Sequence, residues 1–294
     1  MALPSEEAAS FPVPAGLRYM VLAAFFFSVM ALLVKVVGQR LPTAEMVLAR
    51  SVVAAVLSYW MLRWANVAPW GHRKGLLIFR GLAGFAALLC MFYALTKLPL
   101  ADTTVIVYTN PVFTAILAAL FLREMMGRRE VLGLLLSLAG VVLVAQPAFL
   151  FGASADSLDL FAVGIALLGA VFAAIAYVSV RKLGETEHHL VVVFYFPLVA
   201  TPASVPFMIS EALWPTPPEW LMLLGIGVVT QIAQVYLTKG LHTEKAGRAM
   251  SMSYVQILFA ALWSFLFFSE VPDPLSIVGA LLVVAGTVVV ARVA

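Results

Sequence analysis

Polar residues are sparse along this chain and gather in short clusters, and the stretches between the clusters are almost wholly apolar. A helix needs about 20 mostly apolar residues to cross the hydrocarbon core of a bilayer. Ten such windows occur, near residues 17–37, 44–62, 76–96, 101–122, 131–148, 160–180, 190–209, 218–239, 247–268 and 275–293. Transmembrane strands run to about 10 residues of alternating polarity, whereas these windows are longer and uniformly apolar. The pattern predicts an all-α polytopic membrane protein of ten transmembrane helices. The connections are too short for a folded soluble domain.

Composition agrees. Of 294 residues, 63% are hydrophobic and 11% charged, where a soluble domain carries about 25% charged residues. The opening MALPSEEAASFPVPAG has no basic n-region, so the first span is expected to act as its own insertion signal. Cys90 is the only cysteine, which rules out an intrachain disulfide. The net charge of +3 reflects topology rather than a nucleic-acid partner. If the N-terminal side is side A, it collects fourteen of the eighteen Lys and Arg residues, Arg80 among them. The loops at 149–159, 210–219 and 269–274 hold acids and no base. Cytoplasmic loops retain positive charge, so both termini are expected in the cytoplasm and the protein in the cytoplasmic (inner) membrane.

Sliding the chain along itself by 146 positions aligns Gly38 with Gly184, Lys35 with Arg181, Tyr108 with Tyr254 and Glu124 with Glu270. GLLLSLAGVVLVA (133–145) lies over GALLVVAGTVVVA (279–291) with eight identities in thirteen. Each copy holds five windows, an odd number, so the second copy must thread the membrane in the opposite sense. The expected organisation is a cytoplasmic tail (1–16), a first five-helix repeat (17–148), an extracytoplasmic connector (149–159) and a second, inverted repeat (160–294). Inverted repeats are typical of secondary transporters, with the binding site near the midplane between the halves.

The stretch TNPVFTAILAALFLREMMGRREVLGLLLSLAGVVLVA resembles the proline-containing fourth span, terminal Glu and Gly-marked fifth span of EamA-type members of the drug/metabolite transporter superfamily. MSYVQILFAALWSFLFFSEVPDPLSIVGALLVVAGTVVVA fits the same pattern, with Ile257 where the proline stood, and Arg50 a short way into the second span is also family-like. The resemblance spans the whole chain. It implies a 5+5 fold and export of metabolites, amino acids being typical of bacterial members of this length and layout.

Candidate chemistry centres on polar residues at membrane depth, which normally face protein or a water-filled cavity. Pro111 cannot donate a helical hydrogen bond, so it bends the fourth span and leaves the Val107 carbonyl free beside Tyr108 and Asn110. In the eighth span Gln231, Gln234 and Thr238 share one helix face. Tyr254 and Gln256 in the ninth span mirror Tyr108 and Asn110, and Tyr93, Tyr177 and Tyr195 complete a candidate ring of substrate-binding residues with Arg50. Interhelical hydrogen bonds would account for any one of these as well. Arg50 is expected to be the one deep cation, contacting a carboxylate, pairing with Glu45 or snorkelling toward side B. Pro111, Glu124 and Glu270 are assigned structural or gating roles, the two glutamates lying near the N-terminus of a following helix.

With no acid expected deep in a span, strongly cationic cargo is disfavoured, and a small neutral or zwitterionic metabolite, an amino acid above all, fits best. Proton relays in membranes use Asp, Glu or His within the spans, and the four histidines fall in loops. There is no G-x-x-x-x-G-K-[ST] loop for ATP, no H-E-x-x-H, no Asp pair and no Ser with a nearby intramembrane His. The expectation is facilitated diffusion or exchange, without metal, cofactor or catalytic residue. Partners are then a small-molecule substrate and membrane lipid, with the chain a monomer or weak dimer. Other solutes (nucleosides, vitamins, xenobiotics), an intramembrane enzyme and a channel are the competing readings.

Overall fold

The structure is a computed structural model that describes residues 14–151, 159–209 and 213–292. Among them all regular structure is helical. Nine helical segments are long and apolar enough to cross a membrane. They are α1 (Ala15–Val37), α2 (Thr43–Trp64), α3 (Lys74–Lys97), a broken helix made of α4 (Leu100–Val107) and α5 (Asn110–Leu117) with a π turn at Ala118–Leu122, α8 (Leu160–Leu183), α9 (His189–Ile209), α10 (Pro217–Thr243), a second broken helix made of α11 (Ala246–Ser251) and α12 (Val255–Phe268) joined by a 3-10 turn at Met252–Tyr254, and α13 (Pro274–Ala291). The fifth window corresponds to α6 (Arg128–Ala145), which is not one of the nine because Arg128, Arg129 and Glu130 occupy its first turn. The short α7 (Ala148–Phe151) begins the expected connector, whose residues 152–158 lie outside the described residues, as does most of the expected tail (1–13).

Polar contacts define two ends of the bundle. At one, called end A, Arg181 of α8 meets Glu124 and the His242 carbonyl, and Arg248 approaches Glu244 and the Val290 carbonyl. At the other, end B, Lys35 meets Glu270, Arg40 meets Glu219, and Gln146 donates to Asp273 and Ser276. Helix α6 follows Glu124 at end A and finishes at Gln146 at end B, antiparallel to α13. These two meet through glycine: a Cβ on Gly140 would lie 2.5 Å from the Gly279 carbonyl oxygen, and one on Gly286 the same distance from that of Gly133. Two backbones this close allow dispersion contact that any larger side chain would prevent.

The breaks in the two broken helices have local causes. Pro111 sits in the first turn of α5, where a missing N–H costs nothing, and the preceding residues Tyr108 and Thr109 form the joint. Tyr254 closes the 3-10 turn before α12 without a proline. The two joints meet: the rings of Tyr108 and Tyr254 stack at 6.1 Å. Other features also recur 146 positions apart. Arg123 and Ser269 both take left-handed backbone (φ 56° and 55°) at the end of the broken helices. The next N–H, of Glu124 and Glu270, bonds back to the carbonyl of Ala118 and Ser264 respectively.

Candidate functional site

A cavity of about 460 Å³ lies between α1, α2, α3, α4, α5, α8, α9, α10, α11 and α12. Toward end B its lining includes Leu95, Leu100 and Thr104, at the adjoining ends of α3 and α4. Toward end A it stops at Arg80, Tyr177, Leu237 and Met250. Beyond them Glu124 closes the bundle, accepting from Arg181 Nε at 2.7 Å and from the Ala246 N–H at 2.9 Å. Arg181 also donates to the His242 carbonyl at 2.8 Å. The cavity thus runs toward end B from the first turns inside end A, where the Glu124, Arg181 and Ala246 contacts lie across it.

Six of the ten expected binding residues line it: Arg50, Tyr108, Asn110, Tyr177, Gln234 and Gln256. The other four lie elsewhere. Tyr93 packs edge-on against Phe161 and is 37% exposed on the outer surface. Tyr195 donates its hydroxyl to the Trp70 carbonyl at 2.9 Å, at end A. Gln231 turns toward α2, where its amide donates to Ser58 at 2.8 Å. Tyr254 is fully buried behind Tyr108. Helical spacing put Gln231 and Gln234 on one face, but the face is wide enough that one amide meets α2 and the other the cavity.

The joint at Asn110-Pro111 is chemically quieter than its sequence promised. The Val107 carbonyl freed by Pro111 accepts from Asn110 Nδ2 at 2.8 Å. Thr109 and Thr114 likewise bond to the carbonyls of Ile106 and Asn110. Pro111 itself is buried as a packing residue. Asn110 keeps one free polar atom, its buried Oδ1, which has no hydrogen-bond partner. Ser28, the deep polar group of the first span, holds α1 to α12 by accepting from Trp263 Nε1 at 2.9 Å. The glutamates also differ from expectation in their partners. Glu124 caps α11 rather than the helix that follows it, and Glu270 pairs with Lys35 while Asp273 caps α13.

Charge in the cavity departs most from the sequence reading. Arg50 is not its only cation. Arg80, expected in a side-A cluster, is 3% exposed and lines the cavity seven residues into α3. Its Nη2 donates to Gln234 Oε1 at 3.3 Å, while Nε and Nη1 are buried without a hydrogen-bond partner. Arg50 has neither paired with Glu45, which accepts from the Leu213 N–H, nor left the bundle; its nearest recorded hydrogen-bond contact is Met30 Sδ at 3.9 Å. Both guanidinium groups face the Phe196 ring, at 5.8 Å for Arg50 and 5.1 Å for Arg80. Among the described residues no Asp or Glu lines the cavity. Positive-inside counting missed Arg80 because it sums charge by loop, and a cation one turn or two inside a span counts the same as one in water. The signal available was its place within the third window, in KGLLIFRGLAGF.

An acid also escaped the sequence reading. Asp102, in the first turn of α4, is fully buried, and one carboxylate oxygen accepts from the Ala148 N–H of α7. It lies outside the cavity lining.

The model of the EamA-like transporter family matches this chain twice, over residues 14–146 and 160–292. A protein of Pseudomonas aeruginosa named pseudopaline exporter CntI is 40% identical over 278 residues, which cover 94% of this chain and 96% of the relative. Mouse solute carrier family 35 member G1 is 33% identical, with 92% of this chain and 77% of the relative covered. A solved crystal structure matches with a TM-score of 0.82 over 93% of this chain and 95% of its own, at 19% identity, a likeness of fold alone. Apolar helices of membrane length, an internal cavity with polar groups in a largely apolar wall and relatives named as exporters together describe a multi-pass membrane transporter, and the chain belongs to the EamA-like transporter family.

Proposed function

We propose that this chain exports small metabolites bearing a carboxylate, amino acids foremost, from the cytoplasm by alternating access between two inverted five-helix repeats, ten spans in all. The observation that carries the reading is the cavity sealed at end A and extending to end B, with arginine, amide and phenol groups in its wall and no lining acid. An amino acid would set its carboxylate against Arg50 or Arg80. Its ammonium would meet the free Oδ1 of Asn110, the amide of Gln256 and the phenol of Tyr108.

Several features support the repeat. The family model matches each half separately, leaving out only the segments near 147–159 and the termini. Cavity residues recur in pairs 146 apart, among them Asn110 with Gln256, Arg50 with Phe196 and Leu88 with Gln234. The ion pair Glu124–Arg181 at end A has its equivalent in Glu270–Lys35 at end B. Two copies of one unit in opposite senses have two near-equal packings, one open to each face. With end A carrying most of the basic residues, it is the cytoplasmic face, and the sealed form is outward-open. Helix α6 would be the tenth span, its charged first turn in the headgroup region and its apolar remainder against α13. The glycines of that pair are consumed inside the subunit, which favours a monomer or weak dimer.

Among the described residues no acid lines the cavity, so the reading includes uncoupled diffusion or exchange. Purified protein in liposomes loaded with unlabelled L-amino acids should accumulate external labelled amino acid by counterflow with no pH gradient. Gln234→Ala should cut the rate about tenfold without reducing the amount of protein inserted. Flux that appears only under an imposed pH gradient would overturn the uncoupled mechanism, and absence of counterflow for every amino acid would overturn the cargo class.

A further inference from the structure

Resting on the reading of this cavity as the cargo site, we infer that the preferred cargo carries two carboxylates on a short spacer, one for Arg50 and one for Arg80. The argument starts from what the repeat does not require. A pseudosymmetric cavity needs only similar shapes at positions 146 apart, yet of the nine equivalent pairs in the lining only four are apolar or alike. In the others a polar group stands where its equivalent is apolar, as Thr104 does for Met250 and Ser253 for Val107. Arg50 faces its own equivalent, Phe196; Gln234 stands opposite apolar Leu88; Tyr177 replaces Ala31; and the equivalent of Arg80 is Ile226, buried in the core. Each exception substitutes a polar or cationic group for an apolar one, and packing supplies no reason for that. Burying an ion outside water is unfavourable unless it is paired and hydrogen-bonded.

Among the described residues neither arginine has an acid partner. Arg80 offers two buried donor nitrogens, Nε and Nη1, with no acceptor. The Nε–H points away from Nη1, so the two lie on different edges of the guanidinium and each can donate to a carboxylate oxygen. Its remaining donor is held by Gln234, which sets the rotation of the group. Because both cations face Phe196, their separation cannot exceed the sum of the two ring distances, so a spacer of a few atoms reaches from one to the other. A monocarboxylate leaves one buried cation uncompensated, and a lone phosphate would have to draw both to one point.

The test uses full-length protein in liposomes and four labelled probes: L-glutamate, L-glutamine, glutarate and glycerol phosphate. Glutamate and glutamine share size and differ in one charge. Wild-type counterflow of glutamate and glutarate should exceed that of glutamine by about tenfold or more. Arg80→Gln should bring the glutamate-to-glutamine ratio near one while glutamine flux persists, and Arg80→Lys should keep part of the preference. In detergent, glutarate should raise the melting temperature of wild type and not of Arg80→Gln; this readout needs no flux, and Arg50→Gln repeats it should the first variant not fold. Equal or faster flux of glutamine, a ratio unchanged by Arg80→Gln, or preference for glycerol phosphate would each overturn the two-carboxylate site and leave amino-acid export standing. No flux of any probe, with no glutarate-dependent melting shift, would overturn both.

Discussion

Glu124 is the residue whose removal should most change the balance between the two open forms. Its carboxylate takes a charge-assisted bond from Arg181 and another from the first N–H of α11, so it ties α8 and α11 to the end of the broken helix at end A. The side chains are mostly buried, 16% exposed for Glu124 and 25% for Arg181. That places the pair between exposed ones, worth about 0–1 kcal/mol, and fully buried ones, whose disruption costs about 3–5 kcal/mol. In Glu124→Gln the amide oxygen can keep one of the two bonds, so a loss of about 2 kcal/mol from the form sealed at end A is expected, a factor of about 30 in the ratio of the two forms. Ser253 lines the cavity and its hydroxyl bonds only to the Met250 carbonyl, one turn back, which makes it a suitable reporter. With Cys90 replaced by Ser, Ser253→Cys would be labelled by an impermeant thiol reagent added from either side of sealed vesicles. The end-B to end-A rate ratio should fall by about 30-fold on Glu124→Gln. Glu270→Gln removes the exposed equivalent, which solvent screens, and should move the ratio by less than about threefold. A ratio for Glu124→Gln within twofold of wild type, or shifted toward end B, would refute the seal.

Further expectations follow from the same geometry. Asn110→Ala strands the Val107 carbonyl and should lower stability by about 1–3 kcal/mol, read as a lower melting temperature in detergent; an unchanged melting temperature would mean water takes over that bond. Gly140→Val drives a side chain into the Gly279 carbonyl and should destabilise by at least about 1–3 kcal/mol, seen as loss of monodisperse protein, whereas Gly75→Ala, with open space around it, should have no effect. The Glu270 carboxyl is held below its ordinary range chiefly by the hydrogen bond from Lys35, and Asp273 by the Ser276 N–H. A carboxyl with a lowered folded value adds stability that is complete above the ordinary carboxylate range and lost only as pH falls through the lowered value. Melting temperature should therefore be level from about pH 6 to 8 and fall only in stronger acid; a midpoint inside that range would contradict it.

How much of this was legible beforehand depends on which force each feature obeys. The helical spans follow from apolar runs of bilayer length, because a backbone in lipid must satisfy its own hydrogen bonds, and no partner element is needed to say so. Gly133, Gly140, Gly279 and Gly286 stand at matched positions of the two aligned stretches, and the repeat at offset 146 was visible in identities such as Tyr108 with Tyr254 and Glu124 with Glu270. Membership of the family rests on such residues too.

What the chain could not announce is which way a polar group faces once neighbours are in place. Gln231 and Gln234 are one turn apart on α10, yet one meets Ser58 and the other the cavity. The carbonyl freed by Pro111 is recaptured by Asn110, a bond that depends on the side-chain rotamer. Arg80 reads as a loop charge by position and becomes a cavity cation only because α9 and α10 cover it, with Phe196 and Gln234 against its guanidinium. Length and hydropathy are properties of a segment and are written along it. Burial, charge compensation and the shape of a cavity belong to several helices at once, so they exist only after the helices have packed.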